Sequence, residues 1–492
     1  MQDILGHIHS LMPMRDAAQA ACVSHAFLRF WRSYARLNFD VYTLGLMDLG
    51  RRVPPSFGPI DKQEFDDDYL KKNSPIIRDF SARVDHIMHN HIGTGVQTFR
   101  LVPPYGLYID PALLNRWFQA VIAPGISEFY LYLDMGDEGL GYSFPCSLLS
   151  SSNRPGCSTI TSFSIAGCGL RSLDWVGCLT TLCTVHLHRM RVTGEQLTCF
   201  LSSSPGLQEL QLSYCNDIVC LKIPCLLSRL RLLLVRNCNS LQRIGCDAPQ
   251  LKSFGYVGLP TTQICLGDSS PLVRQMKMSS VTDDEPTGML CYATTKLHSV
   301  APNISSLVLS SCFEIATPMK KLNKFRRLKY LEIQLHTPRR CPDFDFYSLV
   351  SILNACPVLA TFILRLEMPD ADDAIPGDFH GDSSQRKRLM MGQGHRKLKN
   401  VLMSGFRSAK GLVELTSHIL ETAASLKHLI LDTAYGCNWR DCIGICSPLT
   451  SKALMEARKA VDVIKTYIED KVPSSVNFKV IEPCAKCHAD DA

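Results

Sequence analysis

One spacing of apolar residues recurs along most of this chain: an apolar position, then apolar positions three and five residues later. Leu207, Leu210 and Leu212 show it, as do Leu230, Leu233 and Val235, Ile160, Phe163 and Ile165, and Ile304, Leu307 and Leu309. In the first and third of these copies the second and third positions flank a polar residue, Gln211 and Ser164. That is the period of a strand with one face buried. In all four copies a cysteine stands eight residues after the first apolar position: Cys215, Cys238, Cys168 and Cys312. Three of them continue as Cys-x-x-[Ile/Leu], reaching Ile218, Leu241 and Ile315. With 22 cysteines in 492 residues, roughly half a coincidence would be expected over ten or so repeats.

Weaker copies share the first three positions. They begin at Ile126, Leu182, Leu251, Leu328, Leu359, Leu398 and Leu426. From 160 to 182, 207, 230 and 251 the steps are 22, 25, 23 and 21 residues, and 304 to 328 is 24. The step from 251 to 304 is 53 residues, room for a diverged copy near Leu272–Met278. Repeats of roughly 20–29 residues with this pattern are leucine-rich repeats. The expected fold is an α/β solenoid, a curved parallel sheet with helices or loops on its convex side, over residues 124–435. Lys410–Ala424 is one candidate convex helix.

The repeat assigns roles to residues. Cys168, Cys215, Cys238 and Cys312 are expected to turn inward just past each strand as small buried thiols. The residues that alternate with the buried positions face outward in rows: Glu209, Gln211 and Ser213 beside Leu232, Leu234 and Arg236. These rows are the expected substrate-facing surface. At the other end of the chain, Leu454, Ala457, Val461, Ile464 and Ile468 line one face of a helix, and Val476–Ile481 alternates like a strand. Residues 436–492 are therefore expected to be a capping helix, strand and tail.

Residues 1–40 do not fit the repeat. Asp3-Ile4-Leu5 and Ile8 precede Leu11-Met12-Pro13-Met14-Arg15-Asp16, followed by Val23-Ser24-His25-Ala26-Phe27 and Trp31. Pro13 should end a first helix and Asp16 cap a second. This segment resembles the F-box, matching its Asp-[Ile/Leu]-Leu, its central Pro-x-x-Asp and its Val-Ser. His25 stands for the usual basic residue and Phe27 for the first tryptophan; the opening Leu-Pro is absent, so a small all-α, N-terminally truncated F-box is expected.

Three further segments extend the resemblance to plant F-box proteins with an FBD-type or related leucine-rich repeat region. Arg83-Val84-Asp85-His86 through His91–Val96 looks like their linker helix, within an expected linker over 41–123 leading into the repeats. Ser404-Gly405-Phe406, Val413-Glu414-Leu415-Thr416 and Leu431-Asp432-Thr433 look like late repeats; Tyr467–Pro473 and Glu482-Pro483-Cys484 look like the ending. The resemblance implies docking to the Skp adaptor of a cullin–RING ubiquitin ligase through Ile4, Leu5, Ile8, Leu11, Pro13 and Val23.

Composition narrows the choice. Hydrophobic residues make up 46% and charged residues 20%, so a large core is expected. The net charge of +6 is mild and no basic run stands out, so no nucleic-acid partner is expected. No secretory signal or membrane span is recognised, since the longest uncharged stretch, Phe346–Leu364, contains Asn354 and Pro357. Cytoplasm or nucleus and reduced cysteines follow.

No catalytic constellation or cofactor is expected. Cys484-Ala-Lys-Cys487-His488 matches a c-type haem attachment motif and offers zinc ligands, but lacks the context for either. His86, His89 and His91 read as a solvated helix end, Gly93-Thr94-Gly95 lacks the rest of a dinucleotide loop, and Asp66–Asp68 and Asp372-Asp373 read as loops. Pro369–Lys397 breaks the rhythm and reads as an inserted surface loop. The expected function is a non-enzymatic substrate adaptor of an SCF-type ligase, holding a protein substrate on the repeats, with Skp and cullin as partners. The alternative is a repeat-based binding protein whose F-box no longer docks; a metal or redox protein using the terminal cysteines is a third reading.

Overall fold

The computed structural model describes residues 2–46, 74–92, 95–104, 107–122, 126–133, 142–148, 159–171, 179–280, 288–312, 324–336, 346–367, 394–434 and 450–483. They divide into two compact units, Met1–Gln250 and Leu251–Ala492.

The first unit opens with three short helices, α1 (Gln2–Leu11), α2 (Met14–Val23) and α3 (His25–Arg32). Pro13 separates the first two, as expected. It also occupies the cap of α2, so Asp16 lies in the first turn of that helix and is not its cap; there its carboxylate complements the positive end of the helix dipole. Buried His9 sits at the centre of the bundle. Its ring stacks on Phe27 with centroids 5.6 Å apart, meets Tyr34 edge-on at 5.7 Å, and Nε2 lies 3.2 Å from the Ala17 carbonyl. The Tyr34 hydroxyl donates to the Met12 carbonyl at 2.7 Å, tying the end of α1 to the chain leaving α3.

The parallel ladder starts earlier than the repeat count implied. Strand β1 (Arg36–Phe39) pairs in parallel with β2 (Thr98–Leu101), which follows α4 (Ser74–Asn90). Both carry the repeat spacing, with buried Tyr34, Leu37 and Phe39, and Val96, Phe99 and Leu101. The boundaries at 40 and 124 thus cut through the ladder. After α5 (Pro111–Val121) come β3 (Glu128–Tyr132), β4 (Ser143–Pro145), β5 (Ser162–Ala166), β6 (Gly169–Arg171), β7 (Thr184–His188), α6 (Gly194–Ser202), β8 (Glu209–Ser213), β9 (Cys220–Ile223), β10 (Leu232–Arg236) and β11 (Arg243–Cys246). In this unit β1, β2, β3, β5, β7, β8 and β10 pair successively, every pair parallel.

Register aligns equivalent repeat positions. Phe99, Phe129 and Phe163 are direct partners on three neighbouring strands and stack at 5.5 and 5.8 Å. Helix caps are local: Asp110 accepts from the Ala112 amide at 2.9 Å with Pro111 next in the chain, and Thr193 and Gln196 form a reciprocal capping box. Behind β8 and β10 the chain returns as strands β9 and β11, paired in parallel, and not as helices. Their buried residues repeat the same spacing: Ile218, Leu221 and Ile223, then Leu241, Ile244 and Cys246.

The second unit holds β12 (Ser253–Val257), β13 (Gln263–Cys265), β14 (Gln275–Ser279), α7 (Met289–Thr295), α8 (Leu297–Val300), β15 (Ser306–Cys312), β16 (Tyr330–His336), α9 (Leu349–Asn354), β17 (Thr361–Glu367), β18 (Asn400–Ser404), α10 (Lys410–Thr422), β19 (His428–Asp432), α11 (Ser451–Tyr467) and β20 (Asn477–Ile481). Strands β12, β14, β15, β16, β17, β18, β19 and β20 pair successively, all parallel. The diverged copy is β14, with Val273, Met276 and Met278 buried. Helices α10 and α11 fall where the apolar stripes placed them. Strand β20 extends the ladder past 435 by pairing with β19. Among the described residues no helix is long and apolar enough to cross a membrane.

Candidate protein-interaction site

Several strands end in a bend whose geometry explains the residue at offset +8. The residue before it is left-handed in several repeats: Gly167 (φ 74°), Arg189 (47°), Tyr214 (55°), Asn237 (52°) and Gly405 (75°). Its amide or the next one donates to a carbonyl at the end of the neighbouring strand, as Tyr214 does to Arg236 at 2.9 Å and Phe406 to Asp432 at 2.8 Å. The reversal turns the following side chain inward, so Cys168, Met190, Cys215, Cys238, Phe406 and Ala434 are all buried. Cys168, Cys215 and Cys238 are free thiols. Cys312 is the last residue of the longer strand β15, and its side chain lies outside the described residues. Burial pushes the Cys168 thiol up to about 12. Contact with the Cys238 thiol, together with burial, raises Cys215 as well. Cys168 and Cys215 are thus structural, poorly ionised thiols.

The outward rows lie between the buried ones. Glu209, Gln211, Ser213, Leu232, Leu234 and Arg236 are all half-buried, while Leu210, Leu212, Leu233 and Val235 between them are buried. Glu209 faces Leu232, Gln211 faces Leu234 and Ser213 faces Arg236 in register. Glu209 Oε1 accepts from Gln211 Nε2 at 2.5 Å and lies 3.2 Å from His186 Nε2.

Residues not singled out from the sequence join these rows. Tyr132 and His188 stack at 5.9 Å across Ala166, which is in register with both and small enough to let them meet. His188 also meets Tyr214 at 5.3 Å, and Arg100 lies 4.5 Å from the Tyr130 ring centroid. In the second unit Glu332 accepts from the Tyr330 hydroxyl at 2.6 Å, Gln334 at 2.8 Å and Arg365 at 2.7 Å. Burial would raise its pKa, but these hydrogen bonds outweigh it and hold the carboxyl below its ordinary value. The signal for all of them was present in the template, since tyrosines, histidines and this Glu–Arg pair occupy outward offsets of the repeat.

The helical module presents a different surface. Ile4 is 65% exposed, Leu11 65% and Val23 85%, and Ile8 and Pro13 are exposed too; Leu5 is half-buried. The linker helix is anchored beside it. Arg83 donates to the Leu44 carbonyl at 2.8 Å, and Asp85 accepts from Trp117 Nε1 at 2.9 Å and from Arg116. His91 Nε2 lies 3.0 Å from the Tyr34 carbonyl, so it is held apart from His86 and His89 as a packing residue. Among the described residues no group of three metal-ligating side chains converges. Cys484, Cys487, His488, Asp66–Asp68, Asp372-Asp373 and most of Pro369–Lys397 lie outside the described residues.

A ladder of parallel strands with this spacing, its inward-turned +8 residue and its half-buried outward rows define a leucine-rich repeat protein, an α/β fold whose repeats form a protein-interaction module. A family model for the At1g61320/AtMIF1, LRR domain matches residues 87–485, and the chain belongs to that family. The chain is also similar, at 24% identity over 148 residues, to a protein of Arabidopsis thaliana described as F-box/LRR-repeat protein At3g58940. That stretch is 29% of this chain and 21% of that protein, so the match spans about a fifth of the relative's length.

Proposed function

We propose that the protein is a substrate-recognition adaptor of an SCF-type ubiquitin ligase, non-catalytic itself and acting in the cytoplasm or nucleus. The observation that carries this reading is the set of exposed apolar side chains on α1 and at the end of α2. Ile4, Leu11 and Val23 are more than half exposed although bulky and apolar, and they occupy the segment that resembles an F-box. Exposed apolar sets of this kind mark protein contacts. Docking there by the Skp adaptor would leave the repeat rows free to hold a substrate. The adaptor then works by raising the effective concentration of substrate near the charged ubiquitin-conjugating enzyme.

One observation favours the second reading, a repeat-based binding protein without a ligase role. The family match, over residues 87–485, is to a repeat domain, and that reading needs the repeats alone. The test is co-purification of the full chain with a Skp adaptor and cullin. Capture that Ile4→Asp/Val23→Asp abolishes, with the melting temperature unchanged, supports the adaptor reading. Absence of capture by the unaltered chain, with repeat-dependent partners still bound, establishes the second.

A further inference from the structure

The second unit assembles a basic cleft from turns that are far apart in the chain. The turn before β16 reads Phe325-Arg326-Arg327-Leu328-Lys329, and the turn before β18 reads His395-Arg396-Lys397-Leu398-Lys399. The two share one design. Phe325 and His395 are buried, Leu328 and Leu398 are buried, and the cations between and after them are exposed. Between them lies the turn before β17, where Val358 and Ala360 stand in place of cations. Strands β16, β17 and β18 are immediate neighbours. The two basic turns therefore flank a small neutral floor from two strand spacings apart, roughly 10 Å.

These residues line a cleft of about 700 Å³ with Arg274 at one end. Among the described residues that line it, seven are Arg or Lys and none is Asp or Glu. Among the described residues none of the seven is ion-paired with a carboxylate. Arg274 is held by two backbone carbonyls, Pro271 at 2.9 Å and Asn303 at 3.1 Å, which fix one edge of its guanidinium. Like charges so close repel one another unless an anion joins them.

The backbone indicates what kind of anion. Lys329, Ala360 and Lys399 sit at one position of successive repeats, and their carbonyls are fully engaged. The Lys329 carbonyl accepts from Ala360 at 2.8 Å and Thr361 at 3.0 Å, and the Ala360 carbonyl accepts from Lys399 at 2.9 Å and Asn400 at 3.1 Å. An extended acidic peptide would thus find no free strand edge to pair with. A compact ligand needs only the side chains, and the volume is that of a small-molecule site. Arg and Lys pairs on facing walls suit phosphate groups, which accept several charge-assisted hydrogen bonds each.

We propose that this cleft binds a compact polyphosphorylated ligand, its phosphate groups bridging the Arg326-Arg327-Lys329 wall and the Arg396-Lys397-Lys399 wall. The ligand is a free organic polyphosphate or the headgroup of a phosphorylated lipid.

The test is calorimetric titration of the full chain at physiological salt with inorganic tripolyphosphate and with orthophosphate. Tripolyphosphate is expected to bind at least about tenfold more tightly, and Arg327→Gln/Lys329→Gln and Lys397→Gln/Lys399→Gln each to weaken it by about tenfold. Lys252→Gln/Lys277→Gln, exposed cations outside the cleft, should change it by less than about twofold. Vesicles containing phosphatidylinositol bisphosphate, compared with phosphatidylserine vesicles of equal charge, separate the sources. Wall-dependent binding to the former only supports the headgroup, and binding of soluble tripolyphosphate with neither vesicle supports the free ligand. Equal loss in the control variant, equal binding to both vesicles, or no binding of tripolyphosphate overturns the proposal. So does a phosphoserine peptide that binds the walls and is not displaced by tripolyphosphate.

Discussion

Arg365 Nε donates to Glu332 Oε1 at 2.7 Å between neighbouring strands, with only 16% and 10% of the two side chains exposed. Glu332 also accepts from Tyr330 and Gln334, so its oxygens are fully engaged by three donors on the outward face. Removing one partner of such a pair leaves the other poorly solvated and unpaired.

Arg365→Ala is therefore expected to destabilise the second unit by about 2–4 kcal/mol, and Glu332→Gln/Arg365→Met to recover most of that loss. Urea unfolding of the three proteins checks it; a single variant as stable as the unaltered chain would refute the pairing. The linked pH effect has a definite sign. The Glu332 pKa lies below its ordinary 4.5 in the folded protein. Its stabilisation is present above that value and lost as pH falls through the lower folded pKa.

His395 titrates in a different window. Burial, with His418 at 5.9 Å adding to it, pushes its pKa down from 6.5 to about 4. The unfolded chain then binds the proton more readily, so stability is full above pH 6.5 and declines toward pH 4, by about 1–3 kcal/mol. Phe325 fills the equivalent position in the other basic turn. His395→Phe should flatten the melting temperature between pH 7 and 5, with a remaining slope from His418, His91 and His9, whose pKa values burial also lowers.

The left-handed bend predicts opposite outcomes at two sites. At Gly405 (φ 75°) an added Cβ would stand 2.3 Å from the Leu366 carbonyl oxygen. Gly405→Ala should cost about 2 kcal/mol or more, combining that clash with the conformational penalty. At Asn237 (φ 52°) the same conformation is already borne by a side chain. Asn237→Gly should be neutral or stabilising by up to about 1 kcal/mol. Thermal melts of the two variants decide the matter.

Thiol reactivity should follow the repeat. Cys22, Cys220, Cys225 and Cys265 are exposed, whereas Cys168 and Cys356 are buried with pKa values pushed up to about 12. A thiol reagent followed by peptide mapping should label the first group in the native protein within minutes, and the buried pair only after unfolding. Prompt native labelling of Cys168 would contradict the inward bend.

Much of the ladder could be read from the chain because its rule is local. Two apolar side chains at offsets +3 and +5 lie on one face of a strand whatever surrounds them, so Leu210 and Leu212, or Leu429 and Leu431, announce their own burial. The same holds for the bend, where Cys215 and Cys238 share an offset because the backbone reverses in the same way. The repeats at Tyr34 and Val96 obeyed the rule too, but their surroundings of helix and linker disguised it.

What only the tertiary structure decided is which repeats meet and in what register. Leu328 and Leu359 are 31 residues apart and Leu359 and Leu398 are 39, yet stacking brings their turns to adjacent strand spacings. Such variable intervals hide from the sequence that Arg365 reaches Glu332. They equally hide that Arg327 and Lys397, seventy positions apart in the chain, stand on two walls of one cleft. The sequence shows two short basic turns, Arg326-Arg327-Leu328-Lys329 and Arg396-Lys397-Leu398-Lys399, but not that they line one cleft. Charge concentrates only when parallel stacking sums the same offset across repeats, a property of register and not of any local segment.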